Sequence, residues 1–169
     1  MRLLRFIARF PFLSETRKLE LYPPFFMMRI KVVEMREQWR FCRIRLPLNT
    51  LSRNPGGTMF GGWQAALADP IAALACSRVF PGYSVWTRSM HIDFHTAGSS
   101  NLELRFEMSP EQEDAIRAQL ARQGRATPEF RYGFFREDGR CCSVIRNAVA
   151  IRPKGYCRVD HQAVDLTDL

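Results

Sequence analysis

Between Arg53 and Arg78 the chain carries a single charged side chain, Asp69. Alanines, Leu67, Ile71 and Trp63 surround it, and Pro70 follows directly. A carboxylate in so apolar a segment is costly unless it is paired, neutralised or hydrogen-bonded. It therefore has a structural partner or a task, and the chemistry open to it is that of a general base or a nucleophile. The structural alternative is a cap. Asp before Pro commonly starts a helix, with Asp as N-cap and Pro at the first helical position. Pro70 also has no N–H for the carbonyl of Ala66, so a helix through this point is expected to kink or restart. Upstream, Gly61 and Gly62 stand where the apolar segment begins. If they open a helix, their N–H groups lack intrahelical partners, and that end favours negative charge.

The elements that must position these groups can be read from periodicity. A helical arm is expected over roughly 1 to 22, stopping at Pro23-Pro24, with Leu3, Leu4, Ile7 and Phe10 at helical spacing. That arm could pack on the domain or a partner copy, lie on an anionic membrane, or serve as an organellar presequence; no signal-peptide pattern fits it. "MMRIKVVEM" and "WRFCRIRLPL" read as two strands, and "NTLSRNPGG" as a loop. A long helix from about Thr58 to Val79 is apolar on nearly every side and must be buried. Its alanines keep it thin enough for a sheet to approach.

After Gly82 the pattern is β. "SVWTRSMHIDFH" is expected to place Trp86, Met90, Ile92 and Phe94 on one face, with His91 and His95 opposite. "NLELRFEM" alternates, with Leu102, Leu104, Phe106 and Met108 inward. Residues 109 to 124 form a surface helix with Ser109 as N-cap, Pro110 at the first position and Gly124 as stop. "EFRYGFF" and "RCCSVIRNAVAIR" make a hairpin about Glu137-Asp138-Gly139. Residues 154 to 169 read as a tail. The expected architecture is α+β: about six antiparallel strands wrapped around one long helix, within a domain over residues 25 to 153.

Composition narrows the function. The net charge of +8 suits an anionic partner such as a phosphorylated cofactor, and the absence of any run of like charges argues against a nucleic-acid tail. Five cysteines with no C-x-x-C pair give neither a disulfide framework nor a zinc site, which fits a reducing, cytoplasmic compartment. His91, His95 and His161 do not join the cysteines in a metal cluster, so no metal centre is expected. Asp69-Pro70, Gln64 and the strand-rich flanks argue against residues 59 to 77 as a membrane span.

The frame Asn54-x-x-Gly57-x-x-Phe60-Gly61-Gly62, followed by Leu67-Ala68-Asp69, resembles the signature of hotdog-fold thioesterases of the phenylacetate-pathway (PaaI-like) type. One position departs: Phe60 stands where those enzymes have His. "NPGGTMFGG…ADP" with "VWTRSMHIDF" is similar, more closely still, to an uncharacterised hotdog branch known as a domain of unknown function. The resemblance covers roughly residues 25 to 152 and implies a hotdog fold, a sheet around a long central helix. It implies hydrolysis of an acyl thioester, of coenzyme A or a carrier protein, with no cofactor beyond the coenzyme A of the substrate. Gly61 and Gly62 would stabilise the oxyanion; losing such a donor typically costs about 100- to 1000-fold in rate.

Asp69 lies seven residues beyond Gly62, roughly 10 Å along one helix, too far to share a carbonyl with the same helix start. The resemblance implies a homodimer, or a dimer of dimers, in which Asp69 comes from the opposite chain as base or nucleophile. Its apolar surroundings should raise its pKa. Asn54 would orient water, although Asn54-Pro55 is also a simple turn former. Gly57, Phe60, Trp63 and Trp86 are the candidate substrate-binding residues, with core packing the alternative for both tryptophans. Phe60 cannot donate a hydrogen bond. It either lines an acyl pocket or marks a protein that binds thioesters without hydrolysing them. A hotdog dehydratase fits less well, because His91 and His95 lie well downstream of the helix start in sequence.

Overall fold

The structure, a computed structural model, describes residues 13–156. Two short helices, α1 (Glu15–Glu20) and α2 (Pro23–Met28), precede β1 (Lys31–Arg36), and a tight turn over Glu37–Trp39 leads into β2 (Phe41–Leu46). A loop then feeds the long helix α3 (Gly61–Val79). The remainder is β3 (Tyr83–Phe94), β4 (Leu102–Glu107), α4 (Pro110–Gln123), β5 (Glu129–Arg136) and β6 (Cys141–Pro153). The six strands form one sheet in the order β1-β2-β4-β5-β6-β3, with every neighbouring pair antiparallel.

Register follows from alternation. β4 buries Leu102, Leu104 and Phe106 and turns Glu103, Arg105 and Glu107 outward. Pairing with β2 sets Ile44 opposite Leu104 and Leu46 opposite Leu102, so both strands present their apolar sets to the same side. Phe130 and Phe134 of β5 and Ile145 of β6 extend that surface. Across it lies α3, whose Leu67, Ala68, Ile71, Ala72, Ala75 and Cys76 are fully buried. The small alanines let helix and sheet approach closely, and each large side chain so buried contributes about 1.5–3 kcal/mol. A long helix against a six-stranded antiparallel sheet is the hotdog fold. α4 is the expected surface helix: Ser109 and Gln112 form a capping box, Pro110 opens it, and Gly124 closes it at φ 65°. Arg40 grips Glu113 in a bidentate pair (2.6 and 2.9 Å) that ties α4 to the start of β2.

Four expectations change. Pro23-Pro24 do not stop a helix but start α2, as the first turn tolerates residues without N–H, so Met27 and Met28 are helical rather than part of a strand. The long helix begins at Gly61, after loop residues 58–60, and Pro70 sits inside it without a break. α3 is buried on one face only: Gly62, Ala66, Asp69 and Ser77 form a stripe that the described residues leave exposed. In β3 a bulge between Thr87 and Ser89 reverses the alternation. Val85 therefore shares the core side with Met90 and Ile92, while Trp86 is exposed and stacks with Tyr156 at 6.4 Å. The arm residues Leu3, Leu4, Ile7 and Phe10, with Cys157 and His161 of the tail, lie outside the described residues. Among the described residues no helix is long and apolar enough to cross a membrane.

Candidate active site

The loop before α3 is built by the residues of the motif. The Asn54 N–H donates to the carbonyl of Thr58 (2.8 Å), and Gly57 N–H donates to the carbonyl of Asn54 (2.9 Å). The Asn54 amide closes the same turn from the side: Oδ1 accepts from Thr58 N–H (3.1 Å) and Nδ2 donates to Thr58 Oγ1 (3.0 Å). Gly57 supplies the left-handed conformation the turn needs, at φ +79°. Both residues thus have a structural task, and one Nδ2 hydrogen of Asn54 remains for water or substrate. Met59 N–H on the carbonyl of Gly98 (2.9 Å) and Phe60 N–H on that of Ser52 (2.8 Å) hold the chain as it enters the helix.

At the helix start two aromatic rings press on two glycines. A Cβ on Gly61 would stand 2.9 Å from Cζ of Phe94, and one on Gly62 would stand 2.4 Å from Cε1 of Phe60. Only glycine permits both approaches. The Gly61 and Gly62 N–H groups donate to none of the described residues, whereas Trp63 N–H already reaches the carbonyl of Phe60 (3.1 Å). Two bare donors at the positive end of a 19-residue helix, walled by the half-exposed rings of Phe60 and Phe94, can hold a developing oxyanion.

A cavity opens on each side of this point. On the Gly61 side, about 410 Å³ is lined by Asn54, Thr58, Gln64, Phe94, His95 and Thr96 among others. On the Gly62 side, an open apolar groove of about 330 Å³ is lined by Pro24, Met27, Met28, Phe60, Trp63 and Ala66. The sequence-predicted Phe60 and Trp63 therefore meet at one pocket, and α2 supplies its other wall. Trp86, on the far side of the sheet beyond the bulge, is not brought to it.

Two residues of the polar cavity were not among the sequence candidates. Gln64 is only 3% exposed; its Oε1 accepts from the hydroxyl of Ser143 (2.7 Å), and its Nε2 donates to none of the described residues. His95 follows the last residue of β3, where its N–H donates to the carbonyl of Cys142 (2.8 Å). His95, an exposed residue, is among those lining the cavity, while His91 pairs outside with Asp93 (2.8 Å). That pairing holds the Asp93 carboxyl below its usual range.

Asp69 does not face the core. Its side chain lies exposed on the outward stripe of α3, so among the described residues the carboxylate does not have the apolar surroundings expected of it. It is not a cap either, since α3 starts at Gly61 with Phe60 in the cap position. Its backbone is held from the sheet: the Asp69 carbonyl accepts from Thr87 Oγ1 (2.8 Å) and Asn147 Nδ2 (3.0 Å). The Ala68 carbonyl accepts from the hydroxyl of Tyr132 (2.7 Å), and burial pushes that phenol well above its usual range. These bonds fix one side of the helix to the sheet and leave the carboxylate pointing out of the fold.

The family model described as a domain of unknown function, DUF4442, matches residues 16–141. No curated protein matches the sequence. Among solved structures, a protein of unknown function and probable thioesterase from Pseudomonas aeruginosa superposes with a TM-score of 0.73 at 13% identity, over 82% of this chain and 93% of that one. The PaaI protein of the Escherichia coli phenylacetic acid degradation operon gives 0.59 at 18% identity, over 78% and 85%. A thioesterase from Staphylococcus aureus, solved as a variant, gives 0.57 at 13%, over 76% and 97%. At these identities the likeness is one of fold.

Proposed function

We propose, starting from the DUF4442 family to which this chain belongs, that the protein hydrolyses acyl thioesters of coenzyme A or a carrier protein. The observation that carries this reading is the helix start: two glycine N–H groups that donate to none of the described residues, between an apolar and a polar cavity. A thioester carbonyl seated on those N–H groups would put its acyl chain against Phe60, Trp63 and Met27. Asp69 cannot reach that carbonyl from its own helix, two turns away. A second copy supplies it. Asp69 lies on the exposed stripe of α3, and the twelve-residue β3 is an edge strand whose outer side pairs with no described strand, so a homodimer paired along that edge would cover both. In that assembly Asp69 takes the proton from the attacking water.

The solved S. aureus variants replace a glutamine and a glutamate fifteen positions apart, the interval that separates Asn54 from Asp69. The test is a panel of acyl-CoA substrates of graded chain length, read by thiol release. Hydrolysis of at least one series supports the reading. Saturable binding without turnover gives the second reading, a thioester-binding protein, which the commitment of the Asn54 amide to its own loop and the lack of a donor on Phe60 favour.

A further inference from the structure

We infer that His95 delivers the proton to the departing thiol in this site, an inference that rests on the thioesterase reading. If the carbonyl oxygen sits on Gly61 and Gly62 and the acyl chain fills the apolar cavity, the carbon–sulfur bond points into the other one. Among the residues lining the two cavities, His95 is the one titratable side chain. It forms no salt bridge with the described residues, and the nearby Asp93 is engaged by His91, so its ring is available to a ligand. The cavity is also built for a polar arm. Gln64, 97% buried, is fixed through Oε1 by Ser143 and leaves its amide hydrogens to the cavity. A buried amide donor of this kind suits the amide-bearing thiol arm common to coenzyme A and carrier proteins.

The reaction then balances within the dimer. Water attacks the carbonyl carbon and gives one proton to the carboxylate of Asp69 from the second copy, and the carbonyl π pair becomes the oxyanion held at Gly61 and Gly62. As the oxyanion collapses, the carbon–sulfur bond breaks, its electron pair goes to sulfur, and the imidazolium of His95 gives sulfur its proton. A free acid and a thiol leave. The proton on Asp69 returns to His95 through solvent.

The experiment compares two thioesters of one acyl group: the acyl-CoA, whose alkyl thiol is a poor leaving group with a pKa of about 8.5 by analogy with cysteine, and an S-aryl thioester, whose thiolate departs without help. The variants are His95→Ala and His95→Gln, both retaining the backbone bond to Cys142, with thermal melts to confirm folding. The expected result is a fall in kcat of about 100-fold or more on acyl-CoA, little change in KM, and near-parent rates on the aryl thioester. Equal losses on both substrates would make His95 a structural residue, and no loss on acyl-CoA would remove it from the mechanism. Either overturns this inference and leaves the thioesterase reading standing. A parent inert toward every thioester overturns both.

Discussion

Asp69→Asn separates the roles that a carboxylate at this position could hold. The side chain is exposed and makes no hydrogen bond or ion pair with the described residues, and the bonds at this point of α3 run through the backbone carbonyls of Ala68 and Asp69. Asparagine keeps the volume and leaves those carbonyls in place. Folding stability should therefore change by less than about 0.5 kcal/mol. Catalysis should respond very differently. Removing a general base typically costs about 100- to 10,000-fold, equivalent to roughly 3–5 kcal/mol of barrier. Thiol release from the best acyl-CoA substrate would measure the second quantity and a thermal melt the first. Mixing the Asp69→Asn chain with a chain disabled at the helix start (Gly62→Trp) adds a test of the dimer. If the base comes from the opposite copy, a mixed dimer restores one working site of two. An Asp69→Asn enzyme as fast as its parent would refute the catalytic assignment.

Three further outcomes follow from particular contacts. Gly62→Ala should gain up to about 1 kcal/mol of helix propensity, yet its Cβ would lie 2.4 Å from the Phe60 ring, so the ring must swing away; slowed hydrolysis of long acyl chains with an unchanged or raised Tm is the expected pattern in an activity and melting series. Glu113→Gln should destabilise the protein by about 2 kcal/mol at pH 7. Arg40 holds the Glu113 carboxyl down at about 2, against 4.5 ordinarily, so its contribution is complete above the unfolded value and fades as pH falls from about 4.5 toward 2; melts of parent and variant should converge in that window. Sedimentation at micromolar concentration should give twice the chain mass, and an active species of single-chain mass would remove the composite site.

The fold was legible where one residue pattern determined one contact surface. The period of two in Leu102–Met108, the cap and stop of the surface helix, and the hairpin at Gly139 each depend on neighbours in sequence, and each forms as its residues indicate. The departures arise where local signals have two meanings. Pro-Pro ends a preceding helix or begins the next, and only the packing of Phe25 and Met28 into the core selects the second. The bulge at Thr87–Ser89 leaves no mark in the alternation of Trp86, Met90, Ile92 and Phe94, which reads as one face because an extra residue cannot be counted without its partner strand.

The site shows the same division more sharply. The glycines and the frame from Asn54 to Asp69 lie within one segment, so spacing alone singles them out; Gly61 lines the polar cavity, and Gly62, Phe60 and Trp63 line the apolar one beside it. Gln64 and His95 could not be found that way. Gln64 becomes a buried donor because of Ser143, 79 residues distant, and His95 enters the cavity because its backbone is tied to Cys142 on β6. A glutamine inside an apolar helix was the one available signal, since a polar side chain there must find a partner or a ligand. Asp69 misled for a related reason. An all-apolar helix argues for burial on every side, but the described residues cover one face only, and the carboxylate stands on the other. Its apolar neighbours on that stripe, Gly62 and Ala66, are what a second copy would cover in the proposed homodimer, where a helix of low polarity belongs as well as it does in a core.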